Sequence, residues 1–189
     1  MTSKSLLESL NPKGHLEIIK RYSNGLEETV LDDPNVITVG MGITLASLFS
    51  NTTTSANAED FGISYFQIGT GSSVMVSSIT KLGDSIDEAE YGNSDLTISA
   101  IDIATETTAK DVAYINPSYV SKTSNTKVTY SLVLEEEACN TIAIDEIGLF
   151  SKNPLLEPSP SAYLCAYRSF GAITKTDAFA LIFKWTLEF

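Results

Sequence analysis

With 189 residues, 43% of them hydrophobic and 19% charged, the chain can build one domain around an apolar core and is too apolar for a disordered polymer. Twenty-four acidic against 12 basic residues, a formal net charge of −12, argue against nucleic acid as a partner, because binding a phosphate backbone needs clustered Lys and Arg. The opening MTSKSLLESLNPKG lacks the apolar stretch of a secretory signal, and no segment nears the ~20 apolar residues of a membrane span. The expectation is a chain made in the cytoplasm, with no membrane partner.

Residues 1–12 read as an N-terminal arm in which Leu6, Leu7 and Leu10 fall at helical spacing before Asn11-Pro12 stops the pattern. Residues 13–189 read as a single β-rich domain. HLEIIKRY (His15 to Tyr22) and LEETVL flank Ser23-Asn24-Gly25, a turn whose Asn-Gly pair tolerates the positive φ of a tight hairpin. A break is expected at Asp32-Asp33-Pro34. NVIT then leads into GMGITLASLFS, where Ile43, Leu45, Ala46, Leu48 and Phe49 cluster as on one short buried helix. Asn51 to Asp60 has loop composition.

ISYFQI (Ile63 to Ile68) is a β-branched and aromatic run ending in Gly69-Thr70-Gly71-Ser72-Ser73, hence a strand entering a turn. The acidic stretch DSIDEAEYGNSD reads as an exposed loop. LTISAIDIAT (Leu96 to Thr105) alternates with period two, and KDVAYINPSYV is interrupted by Pro117, which suits an edge strand or a bend. TKVTYSLVLE, TIAIDEIGLFS, AYLCAYRSF and FALIFKWTLEF complete the strands. The expected fold is mainly β, an antiparallel β-sandwich or jelly-roll-like domain with one short helix. Phe179, Phe183, Trp185 and Phe189 share one parity of the last strand, which must be covered by its own sheet or by another subunit. Together with Leu6, Leu7 and Leu10 of the arm, Phe183, Trp185 and Phe189 are the candidate interface residues.

Residues that carry chemistry are sparse. His15 is the only histidine, leaving a single base for any nucleophilic triad, and no serine sits in a GxSxG elbow. Cys139 and Cys165 are isolated thiols with no CxxC spacing, so zinc is not expected and reduced thiols are the default, with pairing left open. Asp84, Asp87, Glu88, Glu90 and Asp95 crowd one segment without the spacing of a calcium loop. Gly69 to Ser73 lacks the lysine of a phosphate-binding loop. No enzyme activity, metal or cofactor is expected. Within DEIGLF, Glu146 could accept bonds from neighbouring backbone amides or from Arg168, and Gly148 permits a bulge or close backbone approach.

The order of these phrases resembles that of a class of tailed-bacteriophage virion proteins comprising collar, fibre-attachment and decoration subunits. The shared phrases are NVITVGMGITLASLF after a hairpin, YFQIGTG (Tyr65 to Gly71), and DEIGLF (Asp145 to Phe150). An AYR-F strand (Ala166, Tyr167, Arg168, Phe170), a Lys175-Thr176 turn and a terminal FKW-L-F strand follow, so the likeness covers most of Gly14 to Phe189. It implies a neck, tail or fibre-base adaptor in the virion, a homo-oligomer that binds other virion structural proteins and has no active site. A capsid decoration (cement) protein is the alternative. A glycan-binding tip module is a third reading, with Tyr91, Tyr114 and Tyr119 as its candidate aromatics.

Overall fold

The computed structural model describes residues 12–50, 61–92, 95–152 and 161–189; Leu6, Leu7 and Leu10 lie outside these ranges. The described chain is mainly β, ten strands in one sheet. They are β1 (Lys13–Tyr22), β2 (Glu27–Ile37), β3 (Ile63–Gly69), β4 (Ile98–Ile101), β5 (Lys110–Tyr114), β6 (Val120–Lys122), β7 (Lys127–Leu134), β8 (Ala143–Ser151), β9 (Leu164–Thr174) and β10 (Phe179–Glu188). Two helices accompany them, α1 (Val39–Ser50) and the single-turn α2 (Glu88–Tyr91). The strand order is β4-β5-β3-β8-β9-β2-β1-β10-β7-β6, with antiparallel pairing between neighbours.

One strand makes this sheet a sandwich. Glu27 to Asn35 of β2 pair with β1, while Val36 and Ile37 pair with β9, so the sheet folds over at the end of β2. The two halves face each other across the main core, where the rings of Phe66 on β3 and Trp185 on β10 lie 6.4 Å apart. The expected break at Asp32-Asp33-Pro34 is therefore this crease within a continuous strand. Pro34 has no N–H to offer a ladder. Its carbonyl instead accepts from Arg168 Nη1 at 2.7 Å, and Arg168 Nη2 bonds Asp33 at 2.7 Å, bridging β2 to β9 where they are not yet paired. At the far end of the hairpin Gly25 takes a φ of +82°, as its Asn-Gly turn requires.

β10 lies between β1 and β7, not at an edge. Phe179, Leu181, Phe183, Trp185 and Leu187 all point into the main core, and Trp185 Nε1 donates to Asn35 Oδ1 at 2.9 Å. Phe183 and Trp185 are fully buried within the chain, so its own sheets cover them and they present no surface to a partner. Phe189 is the exposed member of the series, at 43%. The edges are the short β4 and β6, and Pro117 lies in the 3-10 turn Pro117–Tyr119 that leads into β6.

A second, smaller core lies on the outer face of the β3-β8-β9 half, built from Leu82, Ile101, Val112, Phe150, Leu164 and Tyr167 among others. Strand alternation presents β8 to both cores, and a register shift between Ile144 and Glu146 brings Ile144 onto the same face as Ile147 and Leu149. Ile144, Ile147 and Leu149 join the main core, whereas Glu146, Gly148 and Phe150 face the second. The cysteines are both buried and free, so they do not pair.

Candidate functional site

The second core is roofed by residues 70–84, and one buried carboxylate holds that roof down. Glu146, at 0% exposure, accepts from Gly71 N (3.1 Å), Asp84 N (2.8 Å) and Gly83 N (3.0 Å) and from the Tyr167 hydroxyl (2.8 Å). Ser73 N donates to the Tyr167 oxygen at 2.8 Å, and Ser72 N donates to Asp145 at 3.2 Å. Both feet of the loop are thus tied to β8 and β9. A buried carboxylate is costly unless its lone pairs are filled, and here backbone and phenol donors fill them. Burial, and then the bond to Glu146, push the Tyr167 phenol well above its ordinary range, so it stays protonated and able to donate.

The glycines around Glu146 are set by space. A Cβ at Gly69 would stand 2.5 Å from the Asp84 carbonyl and 2.6 Å from Glu146 Oε1, and one at Gly71 would run into the Gly83-Asp84 backbone. A Cβ at Gly148 would meet the Leu164 and Leu82 side chains at 2.6 and 2.8 Å. The phrases YFQIGTG, DEIGLF and AYR, far apart in sequence, therefore meet in one cluster. Of the two partner sets open to Glu146, the structure selects the backbone amides. Arg168 turns the other way, toward Asp33.

Between its tethered feet the loop lifts an apolar tip into solvent. Val74 is 77% exposed, and Met75 and Val76 are exposed as well. The tip abuts α1 through a bond from Val39 N to Ser77 O at 2.8 Å. The helix itself lies on β9 by a face the periodicity did not indicate. Gly40 sits against the Leu164 carbonyl where a Cβ would not fit, Thr38 bonds that same carbonyl, and Thr44 lies 3.8 Å from Cys165 Sγ.

Gly40, Met41 and Thr44 face inward, and Leu45 and Leu48 are half-buried. Ile43, Ala46 and Phe49, expected in the core, are exposed, Phe49 at 80%. Val39, Ile43 and Ala46 recur at i, i+4 and i+7, and Phe49 follows Ala46 by three, so they form one outward stripe. Neither VGMGITLASLFS nor the segment from Thr70 to Thr80 contains a charged residue, although the whole chain carries −12. They meet at the Val39–Ser77 bond, and each places uncharged apolar side chains on the surface of an acidic molecule.

The remaining chemistry-bearing residues do not converge here. His15 pairs with Asp32 across the first hairpin, both side chains exposed. Asp87 and Glu90 form a reciprocal cap on α2, and Glu88 N bonds Asp111. Among the described residues no three His, Cys, Asp or Glu side chains are grouped to hold a metal ion, and no helix is long and apolar enough to cross a membrane. Tyr91 is wholly buried, which removes it from the aromatics that could meet a ligand. Sequence reasoning missed the outward face of α1; the unbroken absence of charge in both segments was its only signal. No protein-family model, curated protein or solved structure matches the chain.

Proposed function

We propose that the chain is a non-catalytic structural subunit of a tailed-phage particle, a neck, tail or fibre-base adaptor that associates with copies of itself and with other virion proteins. The observation that carries this reading is the uncharged face made by Val39, Ile43 and Phe49 of α1 with Val74, Met75 and Val76 of the tethered loop. A buried carboxylate tethers the loop that lifts three apolar side chains into water, which favours a prearranged contact over a wandering segment. The order of the motifs around it is what points to a virion.

Light scattering on the purified chain over a range of concentrations tests the reading. The expected result is an oligomer that falls to monomer mass in Ile43→Asp/Val74→Asp while its melting temperature stays near that of the parent. A parent that is monomeric at every concentration, or a double variant that assembles as before, would refute self-association through this face. A cement role differs in stoichiometry: a stained gel of virions would show hundreds of copies instead of the few expected of a neck part.

A further inference from the structure

A second surface, made of backbone, lies on elements that take no part in the α1 face. β7 pairs with β10 along its whole length, but its other neighbour, β6, pairs only with Val128, Thr129 and Tyr130. The sequence sets that limit. Pro117 opens a 3-10 turn in which Asn116 Oδ1 accepts from Ser118 N and Tyr119 N returns to Asn116 O at 2.8 Å, so the chain becomes a strand beside β7 only at Val120. From Ser131 to Leu134 no strand lies on that side of β7 among the described residues.

Which groups are left open follows from the ladder. Phe189 N bonds Thr126 O at 2.9 Å on the β10 side, and Thr123 N bonds Lys127 O at 3.1 Å on the β6 side. Successive residues of a strand turn their backbone groups to opposite sides, so the even-numbered residues of β7 bond β10 and the odd-numbered ones face away from it. Val133 therefore directs its N–H and C=O into a groove of about 370 Å3, which Ser131, Leu132 and Val133 line together with the turn and with Asp95, Leu96 and Thr97 before β4. Free edges are ordinarily guarded by a charge or a proline, and VTYSLVL (Val128 to Leu134) holds neither. We propose that this edge takes a short extended segment of a partner protein, added as a strand beside β7 and bearing Lys or Arg.

Backbone bonds supply the attraction in such a contact, and the flanking side chains supply the selection. A strand beside β7 places alternate side chains on the core side, where Leu132 belongs to the main core and Leu96 packs against it, and the others on the outer side with Ser131 and Val133. Apolar residues at every second position fit that arrangement. Asp95 and Glu135 lie on the rim, and no Lys, Arg or His lines the groove among the described residues. Basic residues at the intervening positions add favourable charge, whereas an acidic segment meets like charge on a chain of net charge −12. The same charge disfavours a second copy of this chain as the donor.

Selection of a displayed library of random heptapeptides on the full chain, followed by NMR with the enriched peptide in synthetic form, tests the proposal. We expect enriched sequences that alternate β-branched or aromatic residues with Lys or Arg. In the free chain the Val133 amide should exchange with solvent at least about tenfold faster than those of Leu132 and Leu134, and saturating peptide should slow it by about tenfold. Val133→Pro removes an N–H that β10 does not use, so it should melt within a few degrees of the parent and abolish binding, whereas Leu132→Pro breaks the ladder and should be strongly destabilised. No enrichment, enrichment of acidic sequences, or peptide binding that leaves the Val133 amide unchanged overturns the proposal. So does a Val133 amide as protected in the free chain as that of Leu132, and protection that grows with protein concentration would assign the edge to a second copy instead. The exchange comparison needs no variant and decides the matter if Val133→Pro fails to fold.

Discussion

Glu146 and Lys175 are both fully buried, and the protein treats their charges differently. The carboxylate has three backbone amides and a phenol around it. The ammonium has the carbonyls of Glu136 (3.2 Å) and Thr176 (2.8 Å) and lies 5.4 Å from the centre of the Phe179 ring, with no carboxylate in salt-bridge contact among the described residues. Burial pushes the Lys175 pKa below its ordinary 10.5, against the opposing pull of nearby acids. Glu146 is thus a tether whose charge is matched by aimed donors, whereas Lys175 is a spoke inside the 136–142 turn whose charge is only partly offset. The difference is that a buried charge stabilises through the number of groups aimed at it, not through burial itself.

Removing the tether should have the largest effect. Glu146→Ala leaves three amides and a phenol without their acceptor, and we expect a loss of about 3–5 kcal/mol in urea unfolding, with new protease cleavage between residues 70 and 84. Glu146→Gln keeps one acceptor oxygen and should fall between the two proteins. If Glu146→Ala unfolds within about 1 kcal/mol of the parent, the loop is not held by this carboxylate and the contrast with Lys175 collapses.

Crowding around the tether should rank next. Gly71→Ala forces a methyl into the Gly83-Asp84 backbone and should cost about 1–3 kcal/mol. Gly42→Ala, where nothing lies within 4 Å of the added atom, should be neutral or slightly stabilising because it replaces a helical glycine. Equal costs at the two glycines would mean that space at the clamp is not the constraint.

Lys175→Met should move stability by less than about 1.5 kcal/mol, and upward, since it exchanges a poorly compensated charge for a side chain of similar volume. The pH dependence carries the sign. Below the lowered native pKa, native and unfolded chains both hold the proton and the burial cost is present. Between that pKa and 10.5 the native chain sheds the proton that the unfolded chain keeps, so parental stability rises with pH relative to Lys175→Met. A difference that is flat, or that falls, across that alkaline window would place the ammonium in a well-compensated site.

The smallest effect concerns the thiol beside that lysine. Burial raises Cys139 to about 12 and Cys165 to about 11, so neither should react with an aromatic disulfide at pH 8 until the chain unfolds. Nearby positive charge from Lys175 lowers the Cys139 value, so Lys175→Met should slow Cys139 further at alkaline pH and leave Cys165 unchanged. Mass spectrometry of the trapped thiols reads both rates.

Much of the fold was legible in the residues. The runs that became β7, β8, β9 and β10 alternate or cluster as strands do, and the Asn-Gly turn of the first hairpin carries its own conformational reason. The site was less legible. α1 was expected where it lies, but its apolar residues were assigned to the core because period shows that a stripe exists, not which neighbour covers it. Tyr91 was read as part of an exposed acidic loop, and it is buried because the reciprocal Asp87–Glu90 cap turns the loop into a short helix. Tyr114 and Tyr119 were candidate aromatics for a ligand, and the Tyr114 ring instead packs edge-on against Tyr65.

Composition and local pattern were enough to establish a β-rich, acidic chain with a packed core, because backbone preference and burial of alternate side chains act over a few residues. Tertiary structure alone decided which face of α1 stays open, that β2 creases so one half of the sheet folds over the other, and that Glu146 takes backbone amides from a loop more than sixty positions away. Backbone donors are the same at every residue. Their meeting with one carboxylate is written in no local motif and arises only from the register of β8 beneath the loop.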